Sequence, residues 1–193
     1  MMAETRRSPL DGMALATGVR ERPFLTQVDL RLDPADAALD DRIAAEIGAA
    51  LPLMPNTVSH GRFGGVDIDV LWLGPDEWLI VAPDGQAAAI DAALRGAAGS
   101  ADVVVIDVSA NRTTLELAHA DAREILAGGC PIDLDPRRFG PGDCAQTLVG
   151  RAGVILWPVA LEPVPVYRLL VRPSFAAYLA AWLGDAIGTD SPP

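Results

Sequence analysis

The chain has 193 residues, half of them hydrophobic, which is enough to bury a substantial core as one domain or as two tightly packed halves. Its 15 Lys and Arg residues are outnumbered by 26 Asp and Glu residues, for a formal net charge of −11. A chain this acidic repels nucleic acid and anionic membranes, so we expect it to bind neither.

Residues 1–23 are predicted to be an N-terminal arm, because arginines are interspersed there with Ser, Pro, Asp and Gly and no apolar period is sustained. Two interpretations stay open. The arm is either a disordered tail, as unanchored termini usually are, or a segment that docks on a partner. In the docking interpretation the apolar contacts come from Leu10, Met13 and Leu15.

The next part of the chain alternates strand and helix patterns. Apolar and polar residues alternate over Phe24–Leu32, as in a half-buried strand, and Asp33 with Pro34 then predicts the start of a helix. Apolar residues recur every fourth position from Leu39 to Leu51, which is one stripe of an amphipathic helix. The further predictions are a polar loop at Asn56–Gly65, a hairpin of Val66–Leu73 with Glu77–Val81, a helix at Gln86–Leu94 and a strand buried on both faces at Ala101–Val108.

The second part is predicted to contain similar elements. Pro158, Pro163 and Pro165 are expected to interrupt the chain before its last strand. In chain order we predict a strand from Leu115, a helix at Asp121–Ala127, a hairpin of Cys144–Val149 with Val154–Trp157, a strand at Val166–Val171 and a helix from Ser174.

A sequence repeat accompanies this order of elements. Leu30–Ala37 aligns on Leu115–Ala122 at an offset of 85 (115 − 30), and Leu71-Trp72 aligns on Leu156-Trp157 at the same offset (156 − 71). We therefore predict an α+β fold of duplicated βαββαβ-like halves, with antiparallel sheets and helices covering one face of each. The two repeats span 24–108 and 109–187 in one compact body, and residues 188–193 form a tail.

The sequence contains little that indicates chemistry of its own. It has neither a Gly-rich phosphate-binding loop nor a GxSxG nucleophile motif. Ser109 and the two cysteines are possible nucleophiles, but a base would have to be His60 or His119, and a surface role is commoner for His119. We therefore predict no catalytic, cofactor-binding or metal-binding residue in this chain.

Four carboxylates leave an alternative open. Asp67, Asp69, Asp107 and Glu116 lie in strand-like runs and could converge, and a buried carboxylate with a raised pKa is what a folate- or amine-binding pocket uses. The other interpretation, which we favour, is that they are outward-facing strand positions or loop caps.

Cys130 and Cys144 are predicted to be reduced and buried, because the N-terminal residues lack the apolar core of a secretory signal. No apolar run approaches the roughly 20 residues that a membrane-spanning helix needs. Neither histidine lies at ligand spacing to a cysteine, so no metal site is expected. These features predict a cytoplasmic protein.

Three segments resemble a known family, the gamma subunits of heterotetrameric sarcosine oxidase. The most specific is GGCPIDLDPRRFGPGDCAQT at Gly128–Thr147, supported by LGPDEWLIVAP at Leu73–Pro83 and RPSFAAYLAAWLGDA at Arg172–Ala186. The resemblance runs from about Arg7 to the C-terminus. It implies a fold similar to the folate-binding domain of the glycine-cleavage T protein, which is a duplicated arrangement like the one predicted above.

The resemblance also implies a function for the complex. Such gamma subunits belong to an αβγδ enzyme that demethylates sarcosine to glycine and hydrogen peroxide, with one-carbon transfer to tetrahydrofolate. In that family FAD, FMN, NAD and tetrahydrofolate belong to the alpha and beta subunits and zinc to delta, while gamma is an assembly subunit without catalytic residues. A sister complex oxidises N-methylglutamate, so the resemblance leaves the substrate open.

Two hypotheses follow. In the first, this chain is a noncatalytic gamma subunit with apolar patches for its partners, which include Leu10, Met13 and Pro131–Leu134. In the second, it is a stand-alone folate-binding or one-carbon transfer protein of the glycine-cleavage T-protein type. That hypothesis requires a central pocket with an inward carboxylate, for which Asp107 and Glu116 are the candidates. From the length of 193 residues we expect no extra C-terminal domain of the kind such transferases carry, so we rank the second hypothesis lower.

Overall fold

The computed structural model describes residues 6–190, and the side chains of residues 6–188. The described chain forms ten strands and four helices. In order they are β1 (Val19–Arg22), β2 (Thr26–Arg31), α1 (Ala37–Ile47), β3 (Val58–Phe63), β4 (Val66–Gly74), β5 (Glu77–Ala82), α2 (Ala87–Ala98), β6 (Val104–Asp107), β7 (Thr113–Ala118), α3 (Ala122–Ala127), β8 (Ala145–Val149), β9 (Ala152–Ala160), β10 (Val166–Val171) and α4 (Pro173–Asp190).

The first sheet is antiparallel and has the strand order β3-β4-β5-β2-β6. One of its faces packs on α1 and α2. Alternate residues of the strands point to this face, as the period of two requires, and they meet helix residues spaced three and four apart. The buried cluster there includes Leu30, Val70 and Ile80 from the strands and Ile43 and Ile90 from the helices.

The second sheet is also antiparallel, with the order β1-β7-β10-β9-β8. Helices α3 and α4 cover one of its faces. Leu117, Leu156 and Leu169 from the strands pack there with Ile125 from α3 and Leu179 from α4. Each sheet therefore has its own helix-covered core.

The other faces of the two sheets pack on each other. Leu71 and Leu79 of the first sheet share a buried cluster with Ile155, Trp157 and Leu170 of the second. The layers are thus helices, sheet, sheet and helices. This arrangement confirms the predicted α+β class with antiparallel sheets, and within the described residues no helix is long and apolar enough to cross a membrane.

The two sheets have the same strand order. If β2 is matched with β7, then β3, β4 and β5 correspond to β8, β9 and β10, in agreement with the sequence offset of the repeat. The strand beside β7 is the exception. In the first sheet the position next to β2 is filled by β6, from the end of the same half, whereas in the second sheet it is filled by β1 from the N-terminal side.

Part of the predicted arm is therefore built into the sheet. All four residues of β1 pair with β7, and Val19 is buried. Leu10 is also buried in the second core and Leu15 packs against it, whereas Met13 is exposed. Leu10 and Leu134 were predicted to be exposed partner contacts, and that prediction is wrong because both are core residues.

Two strand predictions in the first half are also corrected. Residues 56–65, predicted to be a loop, contain β3, whose polar side chains are tolerated because it is an edge strand paired only with β4. The strand predicted to be buried on both faces is β6. Only Val105 is buried, while Val104 and Ile106 are about half exposed, because β6 is an edge strand with one uncovered face.

Pro158 does not interrupt the chain as predicted. Strand β9 continues through it to Ala160 and pairs with β10, with a register shift between Val166 and Tyr167. This register shift accommodates Pro158, which has no backbone N–H to donate to the neighbouring strand.

Candidate functional site

A network of charged side chains joins the two sheets. Glu116 of β7 is buried, and Arg168 lies opposite it on β10. The Arg168 guanidinium donates through Nε to Glu116 Oε2 at 3.2 Å and through Nη1 to Asp69 Oδ2 at 3.1 Å. Asp69 belongs to β4 of the first sheet, and its Oδ1 lies 2.8 Å from Nδ1 of His60. Arg168 therefore bridges a carboxylate of each sheet.

Strand β1 adds two further cations to Glu116. Arg20 lies opposite Glu116 in the β1–β7 register, and its Nε donates to Oε1 at 2.7 Å. Arg22 Nη1 is 3.5 Å from Oε2. One buried carboxylate thus receives three guanidiniums, and an anion at this depth is stable only with such partners.

A cavity of about 450 Å³ opens beside this network. Trp157 lies on its wall with the Arg168 guanidinium 5.9 Å from its ring centroid, and the indole N–H has no hydrogen-bond partner. Asp69 also lines the cavity, but its two oxygens are occupied by Arg168 and His60. The carboxylates of the network bind guanidiniums of the same chain. The network therefore holds the two sheets together.

Three of the four candidate carboxylates lie at or beside the same cavity. Asp69 and Glu116 are brought together through Arg168, as described above. Asp67 lines the cavity with Asp69, but it is 89% exposed and pairs with the exposed Arg62. Asp107 ends β6 and accepts hydrogen bonds from the Ser109 hydroxyl at 2.5 Å and from the Ser109 N–H at 2.9 Å.

The two carboxylates considered for a folate pocket do not share one. Asp107 lines a cavity of about 520 Å³ with Phe24, Ser109 and Arg112, and Glu116 is not among the residues of that wall. Because Glu116 is neutralised by arginines elsewhere, the structure does not favour the hypothesis of a stand-alone folate-binding protein.

The histidines and cysteines also lie apart. His60 contacts Asp69, and His119 Nδ1 accepts the N–H of Asp121 at 3.1 Å. Both cysteines are unpaired and buried, as predicted. The Cys144 thiol donates to backbone carbonyls at 3.5 Å, and burial raises its pKa to about 12, so it is not a thiolate at neutral pH. The described residues contain no group of three acidic, His or Cys side chains that could hold a metal ion.

A pair of arginines was missed by the sequence reasoning. Arg112 precedes β7 and Arg172 follows β10, and the pairing of Thr113 with Val171 places these two strand ends side by side. Both arginines line a cavity of about 370 Å³, and Arg112 also lines the larger cavity with Asp107. The only signal that could have found the pair is the register of β7 and β10, which two separate strand patterns do not reveal.

A model of the sarcosine oxidase gamma subunit family matches residues 31–189. The chain belongs to this family. A sarcosine oxidase subunit gamma from an Arthrobacter species is 37% identical over 193 residues, covering 94% of this chain and 90% of the relative. Another, from Corynebacterium sp. strain P-1, is 36% identical over 191 residues with the same coverage.

Solved structures agree with membership of the gamma subunit family. A chain of the heterotetrameric sarcosine oxidase from Corynebacterium sp. U-96, in complex with pyrrole 2-carboxylate, superposes with a TM-score of 0.83 at 35% identity and 97% coverage of both chains. The glycine cleavage aminomethyltransferase T from Bartonella henselae has a TM-score of 0.65 at 17% identity, over 91% of this chain and 47% of that protein. The second likeness shows a shared fold, and the predicted resemblance in fold is confirmed.

Proposed function

We propose that this chain is the gamma subunit of a heterotetrameric sarcosine oxidase and that it supports assembly without an active site of its own. The observation that carries the proposal is the match to one chain of the Corynebacterium enzyme, which extends over 97% of each chain. The reaction proposed for the complex is the demethylation of sarcosine to glycine, with folate-linked one-carbon transfer.

The site geometry supports an assembly role. The buried Glu116 and the partly buried Asp69 bind arginines of the same chain, so neither carboxylate is available as a general base. The Cys144 thiol is protonated at neutral pH. We propose that the partners are alpha, beta and delta subunits, that FAD, FMN, NAD, tetrahydrofolate and zinc reside in them, and that the complex is cytoplasmic.

Co-expression tests this proposal. The chain is produced with the products of the neighbouring genes, a tag on this chain is used for purification, and the absorbance spectrum of the eluate is recorded. We expect a yellow complex of four polypeptides that oxidises sarcosine. A colourless chain that elutes alone, with its neighbours present in the lysate, contradicts the proposal.

A further inference from the structure

Arg112 differs from the other half-buried arginines of residues 6–188 because its guanidinium has no contact with a carboxylate. Arg22 and Arg168 each contact Glu116, whereas the Arg112 guanidinium contacts no carboxylate of the described chain. Burial, followed by the positive charge of Arg172, lowers the pKa of Arg112 and outweighs the more distant attraction of Asp29 and Glu77. A half-buried cation that faces a second cation is in an unfavourable environment until an anion joins it.

The cavity between the two arginines is suited to an anion. Its volume is about 370 Å³, and its walls include Gln146 and Thr147 but no acidic residue. Arg172 makes one neutral hydrogen bond, from Nη1 to Asn111 Oδ1 at 3.1 Å, which leaves its other donors available. Two planar guanidiniums at one site favour a carboxylate, which accepts from such groups in pairs.

The rim of this cavity resembles a protein interface. Leu148 lines it and is 50% exposed in the isolated chain. Arginine beside exposed apolar side chains is the composition that marks the core of an interface rather than an ordinary surface. A free small anion would satisfy the arginines but leave Leu148 in water, whereas a protein surface covers both. The net charge of −11 also makes a cationic cavity unusual on this molecule.

We propose that Arg112 and Arg172 bind an Asp or Glu side chain of a partner subunit, with Leu148 as the apolar contact beside it. This inference rests on the proposed function, because it names the contact through which the subunit is held. An acidic side chain seated there supplies the missing counter-charge and is removed from water at the same time. The pair is then a desolvated ionic contact, of the kind whose disruption weakens complexes strongly.

The test compares Arg112→Gln and Arg172→Gln with wild type in the tagged co-expression experiment. Affinity of each purified chain for the other three subunits is measured by surface plasmon resonance. We expect each substitution to weaken binding by at least about tenfold, which corresponds to about 1.4 kcal/mol. The matched control is Arg137→Gln, whose guanidinium is exposed and already paired with Asp135, and which we expect to bind within about twofold of wild type.

A second measurement separates an interface role from a structural one. Because burial and Arg172 outweigh the attraction of Asp29 and Glu77, Arg112→Gln should leave the melting temperature of the isolated chain unchanged or raised. Binding by Arg112→Gln within twofold of wild type overturns the inference and leaves the proposed function intact. Failure of the wild-type chain to bind the other subunits overturns both.

A third arm identifies the source of the anion. The isolated wild-type chain and Arg112→Gln are titrated with sodium acetate and sodium phosphate at constant ionic strength. A melting temperature that rises only in the wild type, together with unchanged assembly by the variant, assigns the site to a free anion and contradicts the inference. Loss of assembly without such a rise supports it.

Discussion

At the scale of single residues, burial and charge together decide what each polar group does. Glu116 lies at 3% exposure and is stable there because Arg20, Arg22 and Arg168 surround it. Cys144 is buried without a positive neighbour and keeps its proton. Arg112 is half buried and lacks the carboxylate contact that Arg22 and Arg168, the other half-buried arginines of residues 6–188, have.

The contacts of Glu116 predict that a conservative substitution of this residue lowers the stability of the protein markedly. Glu116→Gln keeps the shape of the side chain but removes the charge that three guanidiniums share. We expect the free energy of unfolding to fall by about 1.5–3 kcal/mol in urea titrations at pH 7, the usual range for hydrogen bonds to charged groups. Asp67→Asn is the control, since its ion pair with Arg62 is exposed on both sides, and it should have almost no effect. Equal effects of the two substitutions would refute this assignment.

Cys144 predicts a dependence of stability on alkaline pH. Its pKa is about 12 in the folded chain and has its ordinary value of 9.0 once unfolding exposes the thiol. The folded state therefore retains a proton that the unfolded state loses above pH 9, so this contribution is fully present below pH 9 and is lost between pH 9 and 12. The stability difference between wild type and Cys144→Ala should shrink over that range, by up to about 1.4 kcal/mol per pH unit. A constant difference in urea titrations from pH 8 to 11 would contradict it.

At the scale of elements, local signals placed most helices and strands but misjudged their ends. The first helix was expected to start after Asp33, whereas α1 starts at Ala37 and Asp36 Oδ1 accepts the N–H of Leu39 at 3.0 Å. Asp33 instead accepts the N–H of Ala35, in a turn before the helix. The error is a choice between two aspartates three residues apart, which have the same capping chemistry. The edge strand β3 was predicted to be a loop because its residues are mostly polar, as loop residues are.

The close contact between the end of α1 and β3 predicts that Gly61 cannot be replaced without a loss of stability. Gly48 ends the helix in the left-handed conformation, and a Cβ on Gly61 of β3 would lie 2.1 Å from the Gly48 carbonyl oxygen. Because that neighbour is backbone, Gly61→Ala forces the helix end and the strand apart, and we expect a loss of about 1–3 kcal/mol in thermal or urea unfolding.

Gly96→Ala is the matched control for this position. A Cβ at Gly96, inside α2, meets nothing within 4 Å, so the substitution should stabilise the protein by about 0.5–1 kcal/mol through helix propensity. Opposite signs for the two substitutions are the expected result. A Gly61→Ala protein as stable as wild type would show that the helix and strand are not held this closely.

At the scale of the whole molecule, we propose that residues 24–108 and 109–187 are two repeats in one body. The buried cluster between the sheets and the Arg168 bridge to Asp69 join them. The equivalent strand orders of the two sheets support the repeat. The proposed boundary does not account for β1, which completes the second sheet although it lies before residue 24.

Truncation tests this organisation. A chain that begins at residue 24 loses β1, the buried Leu10 and Val19, and two of the three cations on Glu116. We expect it to unfold at clearly lower urea concentration than the full chain, or to aggregate through the exposed edge of β7. A chain that ends at residue 187 loses the predicted tail, which in the structure includes the last three residues of α4, and should keep the wild-type midpoint. Equal stability of both truncated chains would show that residues 1–23 are an arm after all.

The sequence by itself determined the fold class and the family and predicted the repeat, because these depend on local periodicity and on residues that recur at fixed spacing. The segment Gly128–Thr147 and the offset of 85 residues can both be identified in the amino-acid sequence alone. Only the tertiary structure decided that β1 completes the second sheet, that Arg168 joins Glu116 to Asp69, and that Arg112 and Arg172 line one cavity. Each of these contacts pairs residues far apart in the chain, such as Arg168 and Asp69 at a separation of 99. Such distant pairs are set by strand order and register, which no local pattern specifies.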